Sequence, residues 1–247
     1  MATRTALLAS LLAALHAGAA AQAQLLHIAT ENSPPTSMLD NGRVVGIATD
    51  KVREAMQRAA IDYTLEVLPW KRAYSIALTR ANGCVYSTTR TPEREHLFKW
   101  AGPTDEGDWV LMGRADRSYQ LRTLEDARKL RIGTYGGDAR DSFLRSRGFL
   151  VDPAPNDLSN PQKLLLGRID LWAVGLRRDS PALGNSGWAG RIVPVFTFNR
   201  VKLYLACNRA VPDTTIARLN AAFEAMQRDG TARRLDRKYD DWMAPKP

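Results

Sequence analysis

Short apolar runs that predict strands alternate along the chain with segments whose apolar residues have helical spacing. The predicted strands are Leu26–Thr30, Thr64–Leu68, Cys84–Thr88, Trp109–Gly113, Arg131–Thr134, Asp170–Val174, Ile192–Phe196 and Lys202–Cys207. Helical spacing lies between most of them and is clearest in Thr49–Ala60 and Pro212–Asp229, each with one apolar stripe. Because strands that alternate with helices form mainly parallel sheets, the pattern predicts an α/β protein.

The first 23 residues have the pattern of a secretory signal peptide. Arg4 precedes the apolar run Ala6–Leu15, and small residues lead to an A-x-A cleavage site at 21–23. A membrane anchor is the alternative, but the apolar run is too short and is interrupted by His16. We therefore predict export, with a mature chain that begins near Gln24 and is periplasmic in a Gram-negative cell.

The chain is strongly basic, with 35 Lys and Arg residues against 26 Asp and Glu residues and a formal charge of +9. Such a balance raises the question of nucleic-acid binding. The basic residues are scattered instead of forming a block or a helix stripe, and export separates the chain from nucleic acid. We therefore predict no nucleic-acid partner, and the positive charge fits attraction of an anionic solute or an acidic protein surface.

Residues 84–103 combine a buried strand with residue types that hold a small anion. Ser87 and Thr89 place hydroxyls at the carboxyl end of the strand, and Pro92 opens a turn that carries Arg94. Ligands of open α/β sheets bind beyond the carboxyl ends of strands, so this arrangement indicates recognition of a carboxylate-bearing solute. The alternative is that Arg94 is a solvated turn residue paired with neighbouring glutamates.

This segment resembles the S-x-S-x-T-x-x-R stretch of the family 3 periplasmic solute-binding proteins, the polar-amino-acid type of ABC transporter receptor. The residues in register with that pattern are Ser87, Thr89, Thr91 and Arg94. The resemblance extends across nearly the whole mature chain. Thr30–Pro35 is similar to the opening of these receptors, and Leu219–Gly230 is similar to their carboxyl-terminal helices.

The resemblance implies a type II periplasmic-binding-protein fold, with two mainly parallel sheets joined by a two-crossing hinge. Lobe one would comprise residues 24–106 plus 201–247, and lobe two residues 107–200, after a signal peptide at 1–23. About 220 mature residues are enough for two lobes of roughly 100 residues each. The implied function is capture of a small solute by closure of the lobes and its delivery to an ABC permease, by a monomer without cofactor or metal.

By the same resemblance, two loops are expected to hold the ligand. Arg94 stands at the place of the arginine that holds the ligand carboxylate. Gly136, Gly137 and Asp138 lie in the glycine turn that touches this carboxylate, and free amides at a helix start receive anions. Gly137 stands where a hydroxyl residue is usual, and a plain turn is the alternative.

Two departures from the family pattern concern the other end of the ligand. Gly175 stands where amino-acid receptors place an aspartate for the ligand's ammonium, and a buried ammonium needs a carboxylate. Either Glu31 or Asp138 supplies that carboxylate, or the ligand lacks the amine. Thr36 stands where an aromatic platform is common; Trp70 is a candidate replacement, with packing beneath a helix as its alternative.

The two cysteines of the chain, Cys84 and Cys207, lie in strands that are neighbours in this family's fold. In an exported chain the pair is expected to form a disulfide, with a Cα separation of about 4.4–6.8 Å. Two buried thiols are the alternative. The bond would not cross the cleft, so its expected role is stability.

Two other function classes stay open. A dehydratase-like enzyme on this fold would use Glu31 as its acid, but His27 and His96 show no triad or metal spacing, and Ser87 lacks a nucleophile elbow. We therefore predict no catalytic residues. A sensory module that signals through a membrane kinase would have the same sequence pattern.

Overall fold

Strands and helices alternate along residues 25–177 and 187–240, which this computed structural model describes. The strands are β1 (Leu26–Thr30), β2 (Met38–Asp40), β3 (Arg43–Val45), β4 (Tyr63–Val67), β5 (Gly83–Thr89), β6 (Lys99–Arg114), β7 (Ile132–Tyr135), β8 (Val151–Ala154), β9 (Leu171–Arg177) and β10 (Ile192–Cys207). The helices are α1 (Ile47–Arg58), α2 (Trp70–Thr79), α3 (Ala139–Ser146), α4 (Asn160–Leu165), α5 (Asp213–Arg228) and α6 (Thr231–Arg237), with short 3₁₀ turns at Glu95–Leu97, Leu124–Ala127 and Asp157–Ser159.

Some of the predicted segments lie outside the described residues. These are the signal peptide at 1–23, residues 178–186 of the predicted lobe two and residues 241–247 of the predicted lobe one. Within the described ranges, no helix combines the length and apolarity that a bilayer crossing requires.

Eight of the strands form one mixed sheet in the order β4-β1-β5-β10-β6-β9-β7-β8. β1 is parallel to β4 and β5, and β7 is parallel to β8 and β9. β10 is antiparallel to both β5 and β6, and β6 is antiparallel to β9. The predicted α/β class is confirmed, and the two sheets expected from the resemblance are hydrogen-bonded into a single sheet.

The strands β6 and β10 make this connection, and each is 16 residues long. The pattern predicted Ile192–Phe196 and Lys202–Cys207 as separate strands because the residues between them include polar Thr197, Asn199 and Arg200. Pairing with β6 continues through this stretch, with register shifts near Phe196 and Asn199. Cross-strand pairing therefore overrides a local pattern that indicates a break.

Buried side chains form clusters at the two ends of this sheet. At one end β1, α1 and α5 contribute Leu26, Met56 and Phe223 to a cluster. At the other end β6, β7 and α3 contribute Leu111, Ile132 and Leu144 to a different one. Separate cores fit the expected division into two lobes, whose boundaries stay a prediction.

A network of four charges joins α6 to the middle of the sheet. The Lys51 ammonium lies 2.7 Å from Asp236 and 3.4 Å from Asp105, and the Arg177 guanidinium contacts the same two carboxylates at 2.8 and 3.4 Å. Lys51 is 3% exposed, so its charge is tolerated only because carboxylates surround it. The network connects α1, β6, β9 and α6.

The predicted disulfide between Cys84 and Cys207 is present, with a Cα separation of 4.0 Å. The two residues are directly opposite each other in β5 and β10, so their separation falls slightly below the expected range. Both side chains are fully buried in the cluster that also contains Leu26. The bond fixes the return strand of the chain beside β5.

Replacing both cysteines, Cys84→Ala with Cys207→Ala, is expected to lower the free energy of unfolding by about 2–5 kcal/mol, because the bond closes a long loop in the unfolded chain. Urea denaturation followed by circular dichroism measures the change. A thiol titration of the denatured, non-reduced wild type is the companion measurement. Free thiols there, or an unchanged urea midpoint in the double variant, would contradict the assignment.

Candidate functional site

A cavity of about 700 Å³ lies between loops from the two ends of the sheet. Glu31, Ser87 and Thr89 border it from the side of β1 and β5. Asp138 and Asp157 border it from the side of α3 and the third 3₁₀ turn. A volume of this size accommodates a small organic solute, and convergent polar groups on a largely apolar wall are typical of ligand sites.

The apolar part of the wall includes several aromatic rings. Trp109, Tyr135, Trp172 and Trp188 border the cavity, with leucine, valine and proline side chains between them. The Trp172 indole donates a hydrogen bond to the Asp157 carboxylate at 2.8 Å, which fixes both groups. The wall therefore combines apolar surface with oriented polar groups.

Four of the eight predicted ligand-binding residues border this cavity, and four do not. The residues on the wall are Glu31, Ser87, Thr89 and Asp138, and those beyond it are Trp70, Arg94, Gly136 and Gly137. The contribution of all eight to ligand binding stays a prediction.

Trp70 and Arg94 pack against the glycine turn from behind the wall. The Trp70 indole and the Arg94 guanidinium both donate to the Gly137 carbonyl, at 3.2 and 3.4 Å. The guanidinium also lies 4.9 Å from the centre of the Tyr74 ring. Trp70 is 3% exposed and does not border the cavity, which fits the alternative interpretation, packing beneath a helix; its role in ligand binding stays a prediction.

Two amides of the glycine turn that were expected to be free are hydrogen-bonded within the protein. The Gly136 N–H donates to the Ala154 carbonyl and the Asp138 N–H to the Tyr135 carbonyl, both at 3.0 Å. These two amides are therefore already hydrogen-bonded. The turn instead positions the Asp138 carboxylate, which accepts the Arg140 N–H at 2.8 Å and caps α3.

Ser87 has an unusual backbone conformation at the cavity wall. Its φ is +57°, in the left-handed region that residues with a side chain rarely adopt. The β5–β10 register is irregular at this position, between Tyr204 and Ala206. The Ser87 hydroxyl oxygen is buried and has no hydrogen-bond partner. Strain and an unsatisfied polar atom at one residue are typical of a functional position.

A buried arginine on the opposite wall, Arg140, was not predicted. Its Nε donates to Asp138 at 2.6 Å and its Nη2 to Asp157 at 3.3 Å, while Nη1 donates to the Ala173 carbonyl at 3.4 Å. Arg140 is 7% exposed, so two carboxylates and a carbonyl replace its hydration.

Arg140 also lies beside the glycine at 175. A Cβ placed on Gly175 would be in van der Waals contact with Arg140 Nη1, at 3.6 Å. The position where a carboxylate was expected is therefore next to a cation of the protein itself. The sequence signal for this arrangement is the Asp138-x-Arg140 pair at the start of α3.

Glu31 faces this cluster across the cavity. Burial and, to a smaller extent, the negative charge of Asp138 together raise the pKa of its carboxyl to about 8, against the opposing effect of Arg140. The Tyr135 hydroxyl is hydrogen-bonded to the Glu31 carboxyl and accepts the Trp70 N–H at 2.9 Å. Glu31 is therefore largely protonated at pH 7.

Metal binding has no support in this cluster. In the ranges 25–177 and 187–240, no group of three or more His, Cys, Asp or Glu side chains is arranged to hold a metal ion. The charge of the carboxylates is balanced by a guanidinium instead.

A sequence model of the bacterial extracellular solute-binding proteins, family 3, matches residues 26–241. The chain belongs to this family. The resemblance carried by the segment from Ser87 to Arg94 is thereby confirmed. A search of the curated proteins found no match.

Solved structures of similar proteins confirm the fold of this family 3 protein. A histidine kinase sensor domain similar to periplasmic binding proteins has a TM-score of 0.76 at 15% identity, covering 87% of this chain and 96% of its own. A variant of ArgBP from T. maritima has a TM-score of 0.75 at 18% identity, covering 87% and 94%. The GluR0 ligand-binding core from Nostoc punctiforme, in complex with (L)-glutamate, has a TM-score of 0.74 at 19% identity, covering 89% and 100%.

The substitution Glu31→Gln is expected to stabilise the fold above pH 5. Because the folded pKa lies above that of the unfolded chain, Glu31 has no effect on stability below about pH 4.5. As pH rises from there to about 8, only the unfolded state ionises, and stability is lost. At pH 7 the variant should gain about 1–3 kcal/mol, and the gain should vanish near pH 4.

Thermal unfolding at pH 4, 7 and 8.5 measures this gain. The matched control is Glu66→Gln, an exposed glutamate on β4. A gain of equal size at pH 4 and pH 8.5 would show that Glu31 is not protonated in the folded state.

Proposed function

We propose that this family 3 protein is a periplasmic receptor that captures a small, carboxylate-bearing, amino-acid-like solute and delivers it to an ABC permease. It acts as a monomer, by binding and closure without covalent chemistry. The observation that carries the proposal is Ser87, whose strained backbone and unpaired, buried hydroxyl lie on the cavity wall.

A ligand in the cavity would supply the hydrogen-bond partner that the Ser87 hydroxyl lacks. A buried hydroxyl without a partner costs about 1–3 kcal/mol, and a left-handed residue with a side chain adds about 1–3 kcal/mol of strain. A solute oxygen that accepts a hydrogen bond from the Ser87 hydroxyl removes the first of these costs. The site is therefore arranged for a partner that the protein itself does not supply.

The neighbouring groups favour a carboxylate at this end of the cavity. Thr89 borders it as well, two residues further along β5. Arg94 lies behind the wall, 8% exposed, with its guanidinium on the Gly137 carbonyl. A small movement of the glycine turn would exchange that carbonyl for the ligand carboxylate, the stronger acceptor of the two.

The structural neighbours support amino-acid-like ligands and also a second function. ArgBP and the GluR0 core are similar in fold, and the latter contains glutamate. The similarity to a histidine kinase sensor domain favours a sensory module as the alternative to transport. In the transport role, permease and ATPase genes are expected beside the gene of this protein.

Ser87→Ala is expected to weaken solute binding about tenfold without loss of thermal stability, because the hydroxyl bonds to the ligand and not to the protein. A thermal-shift screen of amino acids, dicarboxylates, aromatic acids and small anions identifies the solute, and calorimetry measures its affinity. The affinity of Arg94→Ala is measured in parallel, and it should also fall if Arg94 holds the ligand carboxylate. Ser75→Ala, at an exposed serine on α2, is the matched control.

Two results would count against the proposal or a part of it. Unchanged affinity in Ser87→Ala would remove its main support, and unchanged affinity in Arg94→Ala would exclude that residue as the anchor. Mass spectrometry of the recovered solute tests the dehydratase-like alternative. A receptor returns its ligand unchanged, whereas a dehydratase returns a product that has lost water.

A further inference from the structure

Loops from opposite ends of the sheet are joined behind the cavity wall. Helix α2, from the end with β1, β4 and β5, begins at Trp70, and Pro69 before it makes no side-chain hydrogen bond to the helix. The first N–H groups of a helix have no partner within it. The Trp70 N–H donates instead, at 2.9 Å, to the hydroxyl of Tyr135 at the end of β7. A residue from one end of the sheet therefore caps a helix of the other end.

The ring of Tyr135 is buried in an apolar cluster of the opposite end of the sheet. This cluster contains Ala29 of β1, Ala73 of α2 and Val85 of β5, and Tyr135 itself is 6% exposed. An aromatic ring removes a large apolar area from water when it is buried. Separation of the two ends would return that area to water, so the ring favours the joined arrangement.

The glycine turn after Tyr135 is in close contact with the start of α2. The Trp70 indole donates to the Gly137 carbonyl at 3.2 Å. The Lys71 stem lies over the same residue, because a Cβ placed on Gly137 would be 3.1 Å from Lys71 Cε and 3.2 Å from Lys71 Cγ. Carbon atoms in ordinary contact are about 3.5–4.0 Å apart. A side chain at 137 would therefore push the Lys71 stem away, and glycine permits the close fit.

These contacts are separate from the groups that a solute would touch. Trp70, Lys71 and Gly137 do not border the cavity, whereas Tyr135 borders it. The hydrogen bonds of Trp70 are made to atoms of the protein, and the ring of Tyr135 packs against the protein's own side chains. The contacts between α2 and the β7 end therefore form without a solute.

We propose that Tyr135, Trp70, Lys71 and Gly137 form a clasp that holds the two ends of the sheet together before a solute binds. With the clasp closed, most molecules have the cavity covered, and a solute enters when the clasp is released. This inference rests on the proposed function, a receptor that captures its solute by closure. It adds to that function a control on entry and release that belongs to the protein and not to the solute.

The clasp has a kinetic consequence that a solute contact lacks. Because a solute enters only the open form, the association rate constant is reduced by the small fraction of molecules that are open. A weaker clasp raises this fraction and also speeds release of bound solute. The association and dissociation rate constants should therefore rise together, and Kd should change less than either. Loss of a plain solute contact raises mainly the dissociation rate constant.

Spin labels on both ends of the sheet test the clasp without any solute. The two cysteines of the chain are bonded to each other, so thiols introduced by Ser75→Cys on α2 and Ser146→Cys on α3 can be labelled selectively. Both serines are exposed. Double electron–electron resonance measures the distance between the labels. The wild-type background should give one short distance, which addition of L-arginine or L-glutamate leaves unchanged.

Variants of the clasp should lengthen this distance. Tyr135→Phe keeps the ring and removes the acceptor of the Trp70 N–H, and Trp70→Phe removes the indole donor to Gly137. Each should shift the balance of closed and open protein about tenfold towards the open form. Lys71→Ala, at an exposed position that borders no part of the cavity, should shift it less in the same direction. Arg72→Ala, at the exposed neighbouring position on α2, is the matched control.

Stopped-flow measurements with L-arginine and L-glutamate give the two rate constants for each variant. A solute-free wild type with a long distance that shortens on binding would overturn the clasp and leave the receptor function standing. Distances in the three clasp variants that equal the wild-type distance, or a rise in the dissociation rate constant alone, would also overturn it. If the solute-free distance is short and lengthens in the variants, the clasp is supported. If neither probe binds and the thermal-shift panel finds no solute, the receptor function fails by itself, because the solute-free distances do not depend on it.

Discussion

The antiparallel pairing of β6 with β10 is the constraint on which the rest of the structure depends. These two 16-residue strands connect the parallel strands at one end of the sheet to those at the other. Each end buries its own apolar cluster, and the cavity lies where the loops of both ends meet. The disulfide from β5 to β10 and the Lys51 network to β6 both attach to this pair, so they stabilise the connection.

Burial of a guanidinium determines the chemistry of the cavity. Arg140 needs carboxylates because its hydration is lost, and Asp138 and Asp157 provide them. Those negative charges, together with desolvation, keep the nearby Glu31 protonated. The same guanidinium occupies the space beside Gly175. A single buried cation thus organises the carboxylates on this wall of the cavity.

Much of the fold and half of the site were predictable from local patterns and one resemblance. β1 has the predicted bounds, the α1 and α5 helices lie where apolar stripes predicted them, and Ser87, Thr89, Glu31 and Asp138 border the cavity. The prediction was incomplete at 197–200, where polar residues continue a strand because β6 pairs with them. Arg94 and Trp70 were predicted to face the cavity, but both contact the Gly137 carbonyl behind its wall. Sequence spacing does not show on which side of a wall a side chain lies.

The sequence by itself determined much of the strand and helix order and carried the family motif, because periodicity and motif spacing are properties of neighbouring residues. The bond between Cys84 and Cys207 was expected only from the family resemblance, with two buried thiols as the alternative, and the tertiary structure decided it. The tertiary structure alone decided that Arg140 borders the cavity, that the Gly136 amide donates to the Ala154 carbonyl, and that the pKa of Glu31 is raised. These features depend on groups between 17 and about 100 residues apart in the chain, such as Arg140 with Asp157 and Glu31 with Asp138. Burial and charge act through space, so no local pattern contains them.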